Sequence, residues 1–216
     1  MPSIAFDCDG TLVDSEPLHN RADILVLASL GISIDPDEHR QRSTGIGRPA
    51  MLRVIERERG ITLPPDTDRR IEAQLRQLVA SELKPIPGVP ETLLALAQRG
   101  AVMAVASNSD AAYLEQALTT CGLRHYFGER IASSDRVARL KPAPDMYLLA
   151  AALLGTPAAE CIAVEDSKAG VASAHAAGMR TIGYCPPGHV FTPDQMMQAG
   201  AREVITSFAD LLALLD

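Results

Sequence analysis

The hydrophobic positions in the second half of the chain predict alternating strands and helices. Short aliphatic runs, which are typical of buried strands, occupy residues 102–106, 130–133, 161–164, 180–184 and 203–206. Apolar residues at helical spacing predict helices at residues 89–99, 110–121, 144–154, 168–177 and 208–215. This alternation predicts an α/β fold, a doubly wound parallel sheet with helices on both faces.

Residues 15–84 follow a different pattern, in which helical spacing dominates. It predicts helices at residues 15–30, 51–59 and 66–82, another beginning at Pro36, and a loop at residues 44–49. The earlier strand signal, Ile4 to Phe6, is thereby separated from the other strands. The simplest account is an insertion. We expect residues 1–14 and 85–216 to form the α/β core, and residues 15–84 a small helical cap over the strand ends, where open parallel sheets bind ligands.

The first strand runs directly into an acidic loop. Asp7 and Asp9 would share a face on a fully extended segment, although Gly10 makes that geometry less certain at the second carboxylate. Two crowded carboxylates repel each other and resist desolvation, so a hard cation such as Mg²⁺ is a natural partner. Asp, Gly and Thr after a strand are also ordinary turn residues, and that interpretation stays open at this point.

Polar residues also follow two later strands. Ser107 and Asn108 offer a hydroxyl and backbone N–H groups near a predicted helix start, an arrangement that suits phosphate oxygens but also ordinary helix capping. Glu165 and Asp166 end another strand and either complete a metal site or begin the next helix. Lys141 precedes a helix in a proline-flanked segment, where it either holds an anionic oxygen or is solvated.

The composition of the chain argues against several classes of protein. The chain has 216 residues, 47% of them hydrophobic, and a net charge of -7. We therefore expect a globular protein, and the negative charge argues against nucleic-acid binding because an acidic surface repels nucleic acid. The sequence contains no apolar run of the ~18 residues that a membrane span needs and leaves no room for a signal peptide before the first strand, so we expect a cytoplasmic protein.

The four cysteines are widely spaced and predict neither a zinc site nor a disulfide framework. Cys8 lies between the two acidic residues, and we expect it to be a small side chain packed on the opposite face.

The string from Phe6 to Ser15 resembles the first motif of the haloacid-dehalogenase-type phosphohydrolases, a superfamily of phosphatases and phosphomutases. The order of Asp-x-Asp, Ser, Lys and Glu-Asp along the chain extends the resemblance over nearly its whole length. With its helical insertion, the chain is most similar to members with a small helical cap, such as beta-phosphoglucomutase and the sugar-phosphate and phosphoglycolate phosphatases.

The resemblance implies a role for each candidate. Asp7 corresponds to the nucleophile that becomes an aspartyl-phosphate, and Asp9 to the general acid/base. The phosphate-binding positions correspond to Ser107, Asn108 and Lys141. The implied metal site for Mg²⁺ comprises Asp7, the backbone carbonyl of Asp9, Glu165 and Asp166, of which Asp166 is the favoured direct ligand. The resemblance also suggests a cis peptide between Lys141 and Pro142.

The predicted function is a Mg²⁺-dependent phosphatase that acts on a small sugar or sugar-acid phosphate, without nucleic-acid or membrane partners, as a monomer or weak dimer. The dehalogenases that this chain resembles lack an acid at the position of Asp9, so the resemblance implies a phosphate ester and not a haloacid as substrate. A beta-phosphoglucomutase-like mutase is the alternative, since His19 and Arg48 fall where that enzyme has cap residues. A receiver-like phosphoacceptor module is a non-enzyme alternative, disfavoured by the chain length, the insertion and Asp9. The role of the segment 186–201 stays open.

Overall fold

The computed structural model describes residues 2–43 and 48–215, apart from the side chains of residues 41 and 43. The chain divides into two compact units, Met1–Asp14 with Lys84–Asp216, and Ser15–Leu83. In the part of the chain that the structure describes, helices long and apolar enough to cross a membrane are absent.

The unit Ser15–Leu83 is helical. Its helices are α1 (Glu16–Ser29), α2 (Pro36–Ser43), α3 (Arg48–Arg59) and α4 (Thr67–Glu82). Proline near the start of α1 suits the first turn, where a backbone N–H has no helical partner. The apolar face of α4 buries Ile71, Leu75 and Val79, which gives this unit its own core. Arg48, predicted to lie in a loop, begins α3, and the other residues of that predicted loop, 44–47, lie outside the described residues.

The other unit is a parallel sheet in the order β3-β2-β1-β4-β5-β6. Its strands are β1 (Ser3–Phe6), β2 (Val102–Ala106), β3 (Ile131–Ala132), β4 (Cys161–Glu165), β5 (Arg180–Tyr184) and β6 (Glu203–Ile205). Its helices are α5 (Val89–Gln98), α6 (Ala111–Thr120), α7 (Asp145–Leu154), α8 (Lys168–Ala176), α9 (Pro193–Ala199) and α10 (Phe208–Leu215). The sheet carries helices on both sides, so the predicted fold class is confirmed. Because β1 lies between β2 and β4, the carboxyl ends of these three strands are neighbours.

Alanines on the sheet let α7 approach closely. Ala5 pairs in register with Ala104 on one side and with Ala163 on the other, which forms a row of small side chains across three strands. Met146 and Tyr147 of α7 belong to the same buried cluster as these alanines. Since closely packed interiors leave few gaps, the small strand residues fix the height of α7 above the sheet and thus the position of the segment before it.

Helix α9 lies within residues 186–201, where the hydrophobic pattern predicts no helix. The local signal is nevertheless present in the sequence. Thr192 and Gln195 form a capping box, in which each side chain accepts a hydrogen bond from the other residue's backbone N–H, and Pro193 occupies the first turn.

Ala163→Leu should destabilise the α/β unit, because the added volume forces α7 away from the row of alanines. We expect the free energy of unfolding to fall by about 1–3 kcal/mol, measured by urea unfolding. Val102→Leu on β2, at a position that is 37% exposed, is the control and should change it by less than about 0.5 kcal/mol. Equal losses in the two variants would contradict this account of the packing.

Candidate active site

The predicted site residues of the α/β unit meet at the carboxyl ends of β1, β2 and β4. Asp7 follows β1, Ser107 follows β2, and Glu165 is the last residue of β4. Lys141 arrives from the segment that precedes α7, and its amino group lies against both Asp7 and Glu165. The parallel topology therefore gathers residues that are far apart in sequence.

The amino group of Lys141 lies between two buried carboxylates. Its Nζ donates a hydrogen bond to Asp7 Oδ1 at 2.6 Å and another to Glu165 Oε1. All three side chains are nearly or fully buried. Burial by itself would lower the pKa of Lys141, but the adjacent carboxylates of Asp7 and Glu165 outweigh it and raise that pKa. Lys141 is therefore a fixed positive charge next to Asp7.

Glu165 is enclosed by donors. Its Oε1 also accepts from the Tyr147 hydroxyl at 2.9 Å, while Oε2 accepts from the Ser167 backbone N–H at 3.2 Å and from Ser167 Oγ at 3.0 Å. A Cβ added at Gly170 would lie 1.7 Å from Oε1, so only glycine fits there. These contacts orient Glu165 towards Lys141.

Three acidic side chains form a group that fits a divalent cation. Among the described residues, Asp7, Glu165 and Asp166 each offer a carboxylate oxygen, and these oxygens lie within 4.8 Å of one another. Burial, followed by repulsion from Glu165, raises the pKa of Asp7 despite the opposing charge of Lys141. Burial also raises the pKa of Asp166. Since Mg²⁺ prefers oxygen ligands and would offset this excess of negative charge, the donor set suits it.

Asp166 is held in place by two neighbours. The Thr11 hydroxyl donates to Asp166 Oδ1 at 3.2 Å, and His189 Nε2 lies 3.7 Å from Oδ2. Gly10 approaches from the acidic loop with a φ of +81°, and a Cβ at that position would lie 2.2 Å from Asp166 Oδ2. Residue 10 must therefore be glycine for both its backbone conformation and its closeness to Asp166.

The carboxylates of Asp7 and Asp9 have different surroundings. The strand ends at Phe6, and the loop turns back so that the Gly10 N–H bonds the Val13 carbonyl at 2.9 Å. Asp9, which is partly exposed, accepts hydrogen bonds from Tyr113 of α6 and from Ser109 just before it. The extended geometry in which both acids share one face is thus not maintained past the strand.

The side chains of the residues after β2 hydrogen-bond to the neighbouring backbone. Ser107 Oγ is buried and accepts from the Ser109 N–H at 3.1 Å. The Asn108 side chain clamps the Lys141 backbone, accepting from its N–H at 2.9 Å and donating to its carbonyl at 3.4 Å. The Lys141–Pro142 peptide is cis, so that prediction is confirmed.

In the helical unit, His19 and Arg48 are in contact. Arg48 Nη2 lies 3.4 Å from His19 Nδ1, and Arg48 Nε donates to Asp23 Oδ1 at 3.1 Å. His39 Nε2 lies 3.5 Å from the other oxygen of Asp23. Burial raises the pKa of Asp23, an effect that the charge of Arg48 opposes. Asp23 was not singled out from the sequence, although it follows His19 at helical spacing on α1.

Sequence reasoning also missed the hydroxyl groups around the acids. Tyr113, Tyr147 and Thr11 lie on helices or in the acidic loop, where their apolar neighbours gave no sign of a polar contact. Their partners come from distant parts of the chain, so only the fold brings them together. Cys8 is buried, as expected, and burial raises the pKa of its thiol, which makes it a packing residue and a poor nucleophile.

Comparison with known proteins identifies relatives of this arrangement. The family model of the haloacid dehalogenase-like hydrolases matches residues 1–178. The 6-phosphogluconate phosphatase of Escherichia coli (strain K12) is 32% identical over 87% of this chain and 84% of its own length.

Similar solved structures belong to the same family. A HAD family hydrolase from Deinococcus radiodurans R1, with bound phosphate and sodium, is 33% identical over 100% of this chain and 95% of its own, with a TM-score of 0.85. A candidate beta-phosphoglucomutase from Thermotoga maritima is 26% identical and covers 100% of both chains, also with a TM-score of 0.85.

Gly10→Ala should weaken Mg²⁺ binding by about 10–100-fold, because the new methyl group displaces Asp166. Isothermal titration calorimetry measures the affinity. Gly178→Ala is a matched control, since Gly178 has a similar φ of +85° but no atom within 4 Å of an added Cβ. Both variants should lose about 1–2 kcal/mol of stability from backbone strain. Equal Mg²⁺ affinity in the two variants would refute the role given to Gly10.

Asp7→Asn should raise the melting temperature in EDTA at pH 8 by roughly 2–4 °C, since it removes a poorly solvated buried charge. The pKa of Asp7 is raised above its ordinary value of 3.8, so the wild-type protein takes up a proton and gains stability as the pH falls. The difference between the proteins should therefore shrink as the pH approaches 3.8.

Differential scanning fluorimetry across this pH range makes the measurement. The exposed Asp14, changed to Asn, is the control and should show no such trend. A difference that stays constant with pH would contradict the effect assigned to burial of Asp7.

Proposed function

The chain belongs to the haloacid dehalogenase-like hydrolases and is a phosphoric monoester hydrolase, and from this premise we propose that it is a Mg²⁺-dependent phosphatase of a small sugar or sugar-acid phosphate. In this proposal the reaction passes through an aspartyl-phosphate on Asp7. The observation that carries it is the buried contact of Asp7 with Lys141, beside Asp166, at the ends of parallel strands. A carboxylate with an adjacent fixed cation is suited to attack an anionic phosphoryl group.

The first step transfers the phosphoryl group to the protein. A carboxylate oxygen of Asp7 forms a bond to phosphorus while the bond from phosphorus to the substrate oxygen breaks. Asp9, in its protonated form, gives its proton to the departing alkoxide, which leaves as an alcohol. Lys141 and Ser107 bind the phosphoryl oxygens and hold the group in line with Asp7.

The second step releases phosphate. The Asp9 carboxylate takes a proton from water as the water oxygen bonds to phosphorus and the bond to Asp7 breaks. Both residues return to their starting states. Asp9 thus acts as acid and then as base, which requires a carboxyl group that solvent and substrate can reach.

Direct coordination of Mg²⁺ is assigned to Asp7 and Asp166, with the Asp9 carbonyl as the resemblance implies. Bound there, Mg²⁺ would neutralise charge on the phosphoryl group. Glu165 belongs to the same group of acids, but both its oxygens already accept hydrogen bonds. Its proposed part is to hold Lys141 against Asp7.

The proposed substrate class is supported by the family relatives, of which one is named for 6-phosphogluconate. We assign His19 and Arg48 to recognition of the part of the substrate remote from phosphorus. Asp23 orients Arg48 through the contact at 3.1 Å. Location in the cytoplasm, a small phosphorylated metabolite as the partner, and a monomeric or weakly dimeric state stay predictions from the sequence.

A phosphosugar mutase is the second candidate function. It is favoured by the contact between His19 and Arg48 and by the similarity to the Thermotoga maritima protein. The receiver-like module is set aside because the family relatives are phosphatases.

Phosphate release from a panel of sugar, sugar-acid and polyol phosphates tests the proposal. We expect release with Mg²⁺, its loss in EDTA, and a loss of at least about 10³-fold in Asp7→Asn, since that variant lacks the nucleophile. Acid quenching with ³²P-labelled substrate should trap label on the wild-type protein and none on Asp7→Asn.

Asp14→Asn serves as the control for a neighbouring acid outside the group and should keep full activity. Full activity in Asp7→Asn would refute the aspartyl-phosphate, and full activity in EDTA would refute the metal requirement. Conversion of beta-glucose 1-phosphate to glucose 6-phosphate without net phosphate release would establish the mutase instead.

A further inference from the structure

The carboxylate of Asp9 is held by two hydroxyl groups that the reaction above does not use. The Tyr113 hydroxyl donates to Asp9 Oδ1 at 2.7 Å, and Ser109 Oγ donates to Asp9 Oδ2 at 2.8 Å. Each carboxylate oxygen therefore has its own donor. Two donors on separate oxygens fix both the position of the carboxylate and the rotation of its plane.

The donors are themselves anchored. Tyr113 is only 5% exposed and lies in the first turn of α6, where its N–H bonds the side chain of the N-cap residue Asp110 at 2.8 Å. The Ser109 N–H bonds Ser107 Oγ, and the Ser109 carbonyl accepts from the Ser134 N–H at 3.0 Å. The holders of Asp9 are thus continuous with Ser107, the proposed phosphate ligand.

The two donors to the Asp9 carboxylate differ in burial. Tyr113, which binds Oδ1, is buried, whereas Ser109, which binds Oδ2, is partly exposed. A proton can be exchanged with the substrate or with water only on the side that those molecules reach. Oδ2 is therefore suited to carry the proton, while Oδ1 keeps its hydrogen bond to Tyr113.

We propose that Tyr113 and Ser109 are positioning residues that orient Asp9 for proton transfer through Oδ2, an inference that rests on the proposed function. In the first step the Oδ2–H bond of Asp9 breaks and its proton goes to the alkoxide, as phosphorus passes from the substrate oxygen to Asp7. In the second step Oδ2 takes a proton from the attacking water. Tyr113 donates to Oδ1 throughout, and Ser109 gives up its bond to Oδ2 when that oxygen is protonated.

The role of Tyr113 predicts a dependence on the leaving group. An alkoxide is strongly basic and needs a proton as it departs, whereas 4-nitrophenolate leaves readily without one. Because kcat/KM reports the steps up to phosphoryl transfer, it isolates the acid role of Asp9 from the later base role. A purely structural role for Tyr113 would lower kcat/KM for both kinds of ester alike.

The experiment compares Tyr113→Phe with the wild-type protein in Mg²⁺ on two esters. The probes are 4-nitrophenyl phosphate and 6-phosphogluconate, the latter replaced by the sugar or polyol phosphate of highest turnover if another is better. We expect kcat/KM to fall by about 10–100-fold for the alkyl ester and by less than about threefold for the aryl ester. Ser109→Ala should show the same selectivity with a smaller loss.

In Asp9→Asn the loss of kcat/KM on the alkyl ester should exceed that on the aryl ester by the largest factor. Tyr126→Phe, which removes a tyrosine hydroxyl outside the site, is the matched control. Equal losses on both esters in Tyr113→Phe and Ser109→Ala, or no loss in either, would overturn the inference. Wild-type protein inactive on every ester would instead overturn the proposed function on which it rests, so the two failures are distinguishable.

Discussion

The ammonium group of Lys141, placed between the carboxylates of Asp7 and Glu165, is the interaction on which the rest of the site depends. Three acids crowded into a buried region would repel one another without a compensating cation. Lys141 reaches them because α7 lies close to a row of alanines on the sheet, and Asn108 clamps its backbone. Packing and electrostatics therefore impose the same requirement, which is that the segment before α7 be held against β1 and β4.

Burial of Asp7 and Asp166 makes their charged forms a cost to stability. Burial raises the pKa of Asp7 and of Asp166, which means that their charged forms are poorly solvated in the folded protein. A carboxylate that is not stabilised by water is a more reactive nucleophile, provided that a nearby cation orients it. Hydrogen bonds from Tyr147 and Ser167 hold Glu165 in place, and Glu165 in turn holds the ammonium group of Lys141 beside Asp7.

Asp7 and Asp9 are the same residue type in two different environments. Asp7 is buried against an ammonium group, whereas Asp9 is partly exposed and held by two hydroxyl groups. The first environment suits nucleophilic attack, and the second suits the exchange of a proton. The strand ends at Phe6, before both acids, and Gly10 then brings its backbone against Asp166. In the helical unit, a carboxylate is likewise paired with a cation, since Arg48 donates a hydrogen bond to Asp23.

The sequence by itself determined the fold class and the residues at the strand ends, because hydrophobic periodicity and the order of short motifs are local properties. It located Asp7, Ser107 and Asp166, which directly follow strands, and Lys141, which lies in the segment before α7. It missed α9, although the capping box of that helix is local and was available. Only the tertiary structure decided that Tyr113 holds Asp9 and that Tyr147 holds Glu165. Those contacts join side chains from distant segments, so they follow from the packing of helices on the sheet, and no pattern along the chain encodes them.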